Sequence, residues 1–328
     1  MNLRDMINKP IKWLLTLLAV TLLASCAKED SNTFTPYPGN QLNDTAWRTA
    51  LGTDAPAGLL FSSIFQNSIL IDSIDNAAGG KLHFNDSLDI EFPKFFIDNN
   101  AALGNIRVEV IILRNKGTWL QNGFSTMSNN KILESAGAFY IRLLKNGQEV
   151  QLAGGLKLNV ILTTKNPIQG LGIFNVDVSN PLLTEWQAYS SSGSAVSLNS
   201  VSGGAYAYYV SVDKTGRWFS IGLDNDPTSS KTNVYVITPL NYTNYNTVVF
   251  GIVADKHRIG RFKDDLPNRS FKCVNVPLGA KLKLISLSII NGNLYLDSKD
   301  VVVTQNMTVK LDPVQKSKAD ILSFLAGL

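Results

Sequence analysis

Apolar and polar residues alternate along most of the chain between residues 65 and 315. Leu88, Ile90 and Phe92, for example, are separated by Asp89 and Glu91. A period of two is typical of β-strands that bury one face. Other alternating segments include Ile106, Val108, Val110 and Ile112; Leu156, Leu158, Val160 and Leu162; Val234 and Val236; and Val248, Phe250 and Ile252. We therefore predict that antiparallel β-strands make up most of the protein.

Two Asn-Gly dipeptides lie between such segments and indicate hairpins. Asn146-Gly147 separates the segments that contain Ile141 and Val150, and Asn291-Gly292 follows Ile289. Asn-Gly suits a tight two-residue turn, because both of its central residues need positive φ angles. The sequence therefore predicts a β-hairpin at each position.

A helical pattern is found only at the C-terminus. Ser317 and Asp320 have the spacing of a capping box. The apolar residues after them fall on one helical face and are Ile321, Phe324, Leu325 and Leu328. We predict a short amphipathic helix over residues 316–328 that docks on its own domain, with binding of a partner as the alternative.

The N-terminus has the pattern of a secretory signal. Arg4, Lys9 and Lys12 precede an apolar stretch of 12 residues from Trp13 to Ala24. This stretch is shorter than the roughly 20 residues that a membrane-spanning helix needs. The pattern therefore favours a signal peptide over residues 1–25.

The signal ends in a lipobox, Leu23-Ala24-Ser25-Cys26. In this motif a bacterial signal peptidase cuts before the cysteine, whose sulfur carries a diacylglyceryl group. Each buried methylene of a chain such as palmitate contributes about 0.8 kcal/mol, so a multiply acylated cysteine is a stable anchor. We predict lipidation at Cys26; the alternative is an ordinary cleaved signal with a cysteine nearby by chance. Cys273 then has no disulfide partner and is predicted to be a small apolar strand residue.

These patterns define the predicted organisation. The fold class is all-β, with two antiparallel β-sandwich modules in tandem, a lipoprotein signal peptide and a short C-terminal helix. The predicted segments are a signal peptide (1–25), a lipidated tether and lead-in (26–64), an N-terminal β-sandwich (65–165), a bridging β region (166–230), a C-terminal β-sandwich (231–315) and a C-terminal helix (316–328).

Composition adds little chemistry. The 30 basic and 26 acidic residues leave a formal net charge of +4, and the basic residues form no cluster. Phosphate binding needs such a cluster, so no nucleic-acid partner is expected. With His83 and His257 as the only histidines, a three-histidine zinc site cannot form, and no Gly-x-Ser-x-Gly motif surrounds a serine. We predict that His83 is a polar strand residue and that His257 lies in a solvated turn.

Carboxylates are the remaining catalytic candidates. The glutamates after residue 64 are expected mostly on polar faces or beside turns, and they are Glu91, Glu109, Glu134, Glu149 and Glu185. A pair from distant strands could still cleave a glycoside, and this hydrolase hypothesis stays open. Asp224 to Asp226 could form a calcium loop, or simply an Asx turn that closes a strand. Our prediction is a protein that is not an enzyme and has no catalytic residues, no metal and no cofactor.

One aromatic group suggests binding. Tyr206 and Tyr208 share a strand face, and Trp218 lies downstream. Such rings could stack on sugars as a ligand platform, and the alternative is that they pack within the fold.

Several segments together resemble a known type of module. The stretch Gly79 to Asp98, with Ile106 to Val110, is similar to a β-sandwich module of ankyrins, netrin receptors and tight-junction scaffolds. Leu133 to Val150 and Lys214 to Ile221 resemble segments of Bacteroidetes surface lipoproteins that carry a relative of this module, although Arg217 intrudes between Gly216 and Trp218. The resemblance implies architecture and brings no activity with it.

The same resemblance bears on export and modification. Lys28, Glu29 and Asp30 look like the signal that sends Bacteroidetes lipoproteins to the cell surface; a solvated linker is the alternative. Asp44-Thr45-Ala46 is similar to their O-glycosylation acceptor, with Thr45 as the modified residue.

The sequence as a whole favours a non-catalytic, lipid-anchored protein of the outer membrane, displayed at the cell surface, that acts as a binding or scaffold module. Its expected partners are the membrane, through the lipid anchor, and a glycan or protein ligand. The alternative function is a carbohydrate-binding accessory of a polysaccharide-uptake system.

Overall fold

The computed structural model describes residues 46–51, 55–61, 68–97, 104–176, 185–191, 195–224 and 230–328. The signal peptide, the lipobox with Cys26, the Lys28-Glu29-Asp30 segment and Thr45 lie outside the described residues. The described part is dominated by antiparallel β-strands, and the all-β prediction is confirmed.

The first module is a sandwich of two sheets. Its strands are β1 (Leu70–Asp75), β2 (Gly80–Phe84), β3 (Leu88–Phe92), β4 (Asn105–Leu113), β5 (Met127–Ser128), β6 (Lys131–Ile132), β7 (Glu134–Lys145), β8 (Gln148–Val150), β9 (Leu158–Thr164), β10 (Gly172–Val176), β11 (Gln187–Ala188), β12 (Val196–Ser200), β13 (Tyr206–Val212) and β14 (Arg217–Leu223). One sheet has the order β1-β4-β7-β14-β10-β11 with β8 on β7, and the other has the order β12-β13-β9-β3-β2. Strands β5 and β6 form a separate small hairpin.

Alternation explains why these strands pack face to face. Ile90 of β3, Val108 of β4 and Val160 of β9 are fully buried in one apolar cluster between the two sheets. Their neighbours Asp89 and Arg107 point outward and form ion pairs at the surface. One face of each strand thus enters the core, as the period of two predicts.

The predicted boundary at residue 165 is wrong. Strands β10 to β14, which span residues 172–223, belong to the two sheets of the first sandwich. Strand β13 pairs with β9, with Tyr208 opposite Leu162, and β14 pairs with β7, with Phe219 opposite Phe139. Pairing between strands so distant in sequence leaves no local signal, which is why the sequence alone predicts a separate bridging region over residues 166–230.

The second module is built on one curled sheet. Its strands are β15 (Lys231–Ile237), β16 (Thr247–Val253), β17 (Ile259–Asp265), β18 (Ser270–Pro277), β19 (Lys281–Ile290), β20 (Asn293–Val302), β21 (Met307–Lys310) and β22 (Val314–Lys316). Their order is β21-β15-β18-β17-β16-β19-β20-β22, and the pairing of β15 with β21 is parallel. Val234, Val249 and Leu284 are fully buried on one face of this sheet, and its own strands supply most of the covering residues. The two halves of the sheet therefore face each other as in a sandwich.

Both predicted hairpins are present. Asn146 and Gly147 have φ angles of 50° and 79°, and Asn291 and Gly292 have φ angles of 52° and 77°. The first pair joins β7 to β8 and the second joins β19 to β20. The positive φ angles are those that the Asn-Gly prediction required.

The two modules meet in a shared apolar core. Alternate residues of β16 and β19 point away from the inside of the curled sheet, so both faces of β16 are buried. The shared core consists mainly of Leu113, Trp119, Phe124, Ala138, Trp186 and Trp218 from the first module and Val248, Phe250, Ile252, Ile285 and Leu287 from the second. The modules therefore form a single packed body over the described residues.

Three short helices border this core: α1 (Pro56–Leu59), α2 (Lys116–Gln121) and α3 (Lys318–Ala326). Helix α3 begins with the predicted capping box of Ser317 and Asp320. Its Ile321 and Leu325 are buried in the shared core, and it packs against α2. The predicted C-terminal helix is confirmed, and it docks on its own chain.

The described part of the predicted tether belongs to the fold. Trp47 packs on Phe271 of β18, with ring centroids 4.8 Å apart. Ala57 and Leu60 are buried in the shared core, and Ala57 N donates to the carbonyl oxygen of Tyr245. These residues, 46–51 and 55–61, are called the lead-in segment below. The segment docks on the second module before the chain enters the first.

Candidate functional site

The predicted ligand platform does not exist. Tyr206 has 36% of its surface exposed, whereas Tyr208 has 1% and Trp218 has 4%. Tyr208 lies in the core between the two sheets of the first module, and Trp218 lies in the shared core. Because two of the three rings are buried in separate clusters, they cannot stack together on a sugar.

Polar contacts confirm the packing role of Tyr208. Its hydroxyl oxygen accepts a hydrogen bond from Ile168 N at 2.6 Å, and its hydroxyl donates to Ile168 O at 3.2 Å. Burial raises the pKa of Tyr208. The hydroxyl therefore satisfies the backbone of the segment before β10.

The two histidines differ in environment. His83 on β2 is exposed, and its Nδ1 lies 2.7 Å from Asp89 Oδ1, as expected for a polar strand residue. His257 lies in the predicted turn between β16 and β17, but it is half-buried and not solvated, because its ring packs edge-on against Trp119 with centroids 5.7 Å apart. Burial, followed by the nearby positive charge of Lys116, lowers the pKa of His257 to about 4. His257 is therefore neutral in the folded protein at neutral pH.

Glu109 is the most buried of the candidate carboxylates. Only 5% of its surface is exposed, yet it lies on the predicted polar face of β4, beside Arg107 and opposite Arg142 of β7. Arg142 Nε donates to Glu109 Oε2 at 2.9 Å, and Arg107 Nη2 lies 2.7 Å from Oε1. Burial alone would raise the pKa of Glu109, but the hydrogen bonds from Arg142 and Arg107 outweigh it and lower the pKa. The carboxylate is thus held as an ion between two arginines across β4 and β7.

Other acidic groups are also engaged in ion pairs. Glu134 Oε2 lies 3.0 Å from Arg258 Nη2, and Glu185 Oε1 lies 2.6 Å from Lys263 Nζ. Asp224 pairs with Lys131 at 2.7 Å, and the other two residues of the possible calcium loop, Asn225 and Asp226, lie outside the described residues. Within the described ranges, no three His, Cys, Asp or Glu side chains are grouped so that they could hold a metal ion.

Cys273 is the free cysteine of the described chain. It lies on β18 with 1% of its surface exposed, and burial raises the pKa of its thiol to about 12. The prediction of a small buried strand residue is confirmed. A thiol that stays protonated and buried is unreactive.

The lead-in segment is fixed to one loop of the second module. Arg48 N donates to Asn244 Oδ1 at 2.9 Å, and Asn244 Nδ2 donates to Arg48 O at 2.7 Å and to Asp264 at 2.8 Å. The Arg48 guanidinium carbon lies 5.1 Å from the centre of the Tyr245 ring. We call the surface formed by residues 46–48, 237–246 and 311–316 the lead-in end. No local sequence pattern predicts these contacts, because Arg48 and Asn244 lie 196 positions apart.

A shallow, mainly apolar groove lies at the opposite end of β16, β19 and β20. Its volume is about 290 Å³, and its lining residues are Ala254, Lys281, Leu282, Asp300, Val301 and Val302. Asp300 pairs with Lys283 at 2.8 Å, so its charge is already compensated. The groove therefore offers apolar contact area and no reactive group.

The chain matches no protein-family model and no curated protein sequence. None of the helices within the described ranges is long and apolar enough to cross a bilayer.

Proposed function

We propose that this protein is a non-catalytic, lipid-anchored scaffold or binding module of the bacterial outer membrane, displayed at the cell surface. The anchor is Cys26, and surface display depends on Lys28, Glu29 and Asp30. The resemblance to Bacteroidetes surface lipoproteins is part of this proposal.

One observation carries the scaffold role: the shared core joins the two modules into a single packed body. Large aromatic side chains from the first module, Trp119, Trp186 and Trp218, pack in one cluster with Phe250 and Ile285 of the second. Apolar contact of this kind strongly resists motion between modules. A rigid body on a lipid anchor suits a protein that presents a fixed surface, such as the groove beside Val302.

Two observations argue against the sugar-binding and hydrolase hypotheses. Burial of Tyr208 and Trp218 removes two of the three rings on which the sugar-binding hypothesis depends. The hydrolase hypothesis needs two carboxylates facing a common space, whereas Glu109, Glu134 and Glu185 are each paired with a basic side chain.

The anchor is tested by Cys26→Ala, with Cys273→Ala as the matched control. We expect Cys26→Ala to abolish labelling by radioactive palmitate and to release the protein from membranes, and Cys273→Ala to change neither. Unchanged labelling of Cys26→Ala would contradict the proposal.

A further inference from the structure

The most exposed large apolar side chain of the described residues lies at the lead-in end. Leu240 has 68% of its surface exposed, and the same end carries Val314 with 55% and Ile237 with 39%. Exposed apolar groups that gather at one place mark a contact with another apolar phase or with a partner.

Hydrogen bonds show that these three residues belong to one surface. Tyr242 Oη donates to Pro313 O at 3.0 Å, which joins the loop of Leu240 to the segment of Val314. Leu311 N donates to Ile237 O at 3.0 Å, which joins the end of β15 to the same segment. The residues come from two separate stretches of the chain, but the fold brings them to the same end of the second module.

The described chain begins at this same end, at residue 46. Residue 46 follows Cys26 by 20 positions. From there the chain meets the loop of Leu240 directly, through the two hydrogen bonds between Arg48 and Asn244. A chain of that length spans at most about 70 Å, so the anchor keeps this end of the molecule within reach of the bilayer.

The polar surroundings also suit lipid. Lys316 and Lys318 follow Val314 closely and are exposed. Basic side chains beside exposed leucine and valine are typical of surfaces that lie at the boundary between headgroups and acyl chains.

We propose that the lead-in end docks on the bilayer that holds Cys26, with Leu240 and Val314 inserted among the lipids. This rests on the proposed lipid anchor. In this orientation the groove lined by Leu282 and Val302 faces away from the membrane, because it lies at the other end of β16, β19 and β20.

The test uses the full-length lipidated protein in vesicles of phosphatidylethanolamine and phosphatidylglycerol. Leu240→Cys and Val314→Cys are labelled with an environment-sensitive dye, with Leu278→Cys and Val302→Cys as matched controls at the far end, where 41% and 57% of these side chains are exposed. Cys273 is buried and does not react with the dye. Vesicles with and without doxyl-labelled lipids are compared, and flotation of the vesicles measures anchoring separately.

We expect the dyes at 240 and 314 to shift to shorter emission wavelengths in vesicles and to lose most of their emission to doxyl lipids. The dyes at 278 and 302 should change little. A further outcome is that the protein floats with the vesicles while the dyes at all four positions show the same emission shift and quenching, or while none of them shows any. In that case the docking inference is wrong, and the proposed lipid anchor is unaffected. A blue shift at 240 without quenching by lipid would indicate contact with another protein and would also overturn the inference. Loss of flotation would refute the anchor, and the docking inference with it.

Discussion

Trp218 fills the space between Phe124 and Tyr140 in the shared core, with ring centroids 4.9 Å and 5.5 Å away. Tyr206, the first residue of β13 in the other sheet, has 36% of its surface exposed. The two residues are both aromatic and only twelve positions apart. Because Trp218 is buried and Tyr206 is partly exposed, Trp218 contributes more to the free energy of unfolding. Large-to-small substitutions cost free energy in proportion to the apolar contact and cavity volume involved.

We therefore predict that Trp218→Ala lowers the free energy of unfolding by about 3 to 5 kcal/mol, because it leaves a cavity in the shared core. Tyr206→Ala serves as the control and should change it by less than about 1 kcal/mol. Urea titrations followed by circular dichroism would measure both variants. Equal stability of the two would contradict the burial of Trp218.

His257 makes stability depend on pH. Its neutral ring lies against Trp119, with the charged groups of Lys116, Arg114 and Glu134 nearby. The unfolded chain takes up a proton near pH 6.5, whereas the folded protein does so only near pH 4. The unfolded state thus binds more protons between these values, and stability falls as the pH is lowered through this window.

We expect that protonation of His257 in the unfolded chain lowers the free energy of unfolding by up to about 3 kcal/mol between pH 6.5 and pH 4. His257→Gln should flatten that part of the pH profile relative to the wild type. Urea midpoints measured across this pH range would show the difference. An identical slope in wild type and His257→Gln would contradict the assignment.

At the scale of elements, helices α2 and α3 depend on a close approach of their backbones. Gly117 in α2 lies so close to Leu325 of α3 that an added Cβ would overlap the Leu325 carbonyl oxygen. The contact holds the C-terminal helix over the shared core, where Ile321 and Leu325 are buried. Glycine is required here because of space and not because of its φ angle.

Gly117→Ala should therefore separate the two helices and destabilise the protein by about 1 to 3 kcal/mol. Gly154→Ala is the matched control, since an added Cβ there meets no atom within 4 Å. Thermal unfolding of both variants, together with proteolysis of the C-terminal helix, would measure the effect. A Gly117→Ala variant as stable as Gly154→Ala would refute the close approach.

At the scale of the whole molecule, exposing either module's residues of the shared core to water would cost free energy. Residues of β16 alternate between the inside of the curled sheet and the shared core, so both faces of this strand are buried. Removal of the first module would uncover Phe250, Ile285 and Leu287 together. The two modules therefore stabilise each other.

We predict a single cooperative unfolding transition for both modules. Calorimetry should give equal calorimetric and van't Hoff enthalpies, as expected for two-state unfolding. Phe250→Ala, in the second module, should lower the midpoint reported by both near-UV and far-UV circular dichroism by the same amount. Two separate transitions would contradict mutual stabilisation.

Local sequence patterns determined the strands, the two Asn-Gly hairpins and the capped C-terminal helix. Each depends on residues that are neighbours along the chain, such as Ser317 and Asp320 or Asn291 and Gly292. Period and turn chemistry act over a few residues, so they can be recognised without knowledge of the rest of the fold. The same holds for Cys273, whose position on an alternating strand made its burial foreseeable.

Tertiary structure alone decided which strands share a sheet, which aromatic rings are buried and where the lead-in segment docks on the second module. Tyr208 and Trp218 have strand-like surroundings in sequence, but their exposure depends on what packs over each face. The contacts of Arg48 with Asn244 and of β14 with β7 join residues that are far apart along the chain. Such contacts form because they bury apolar surface and satisfy backbone groups across the whole molecule, and a local pattern does not encode that balance.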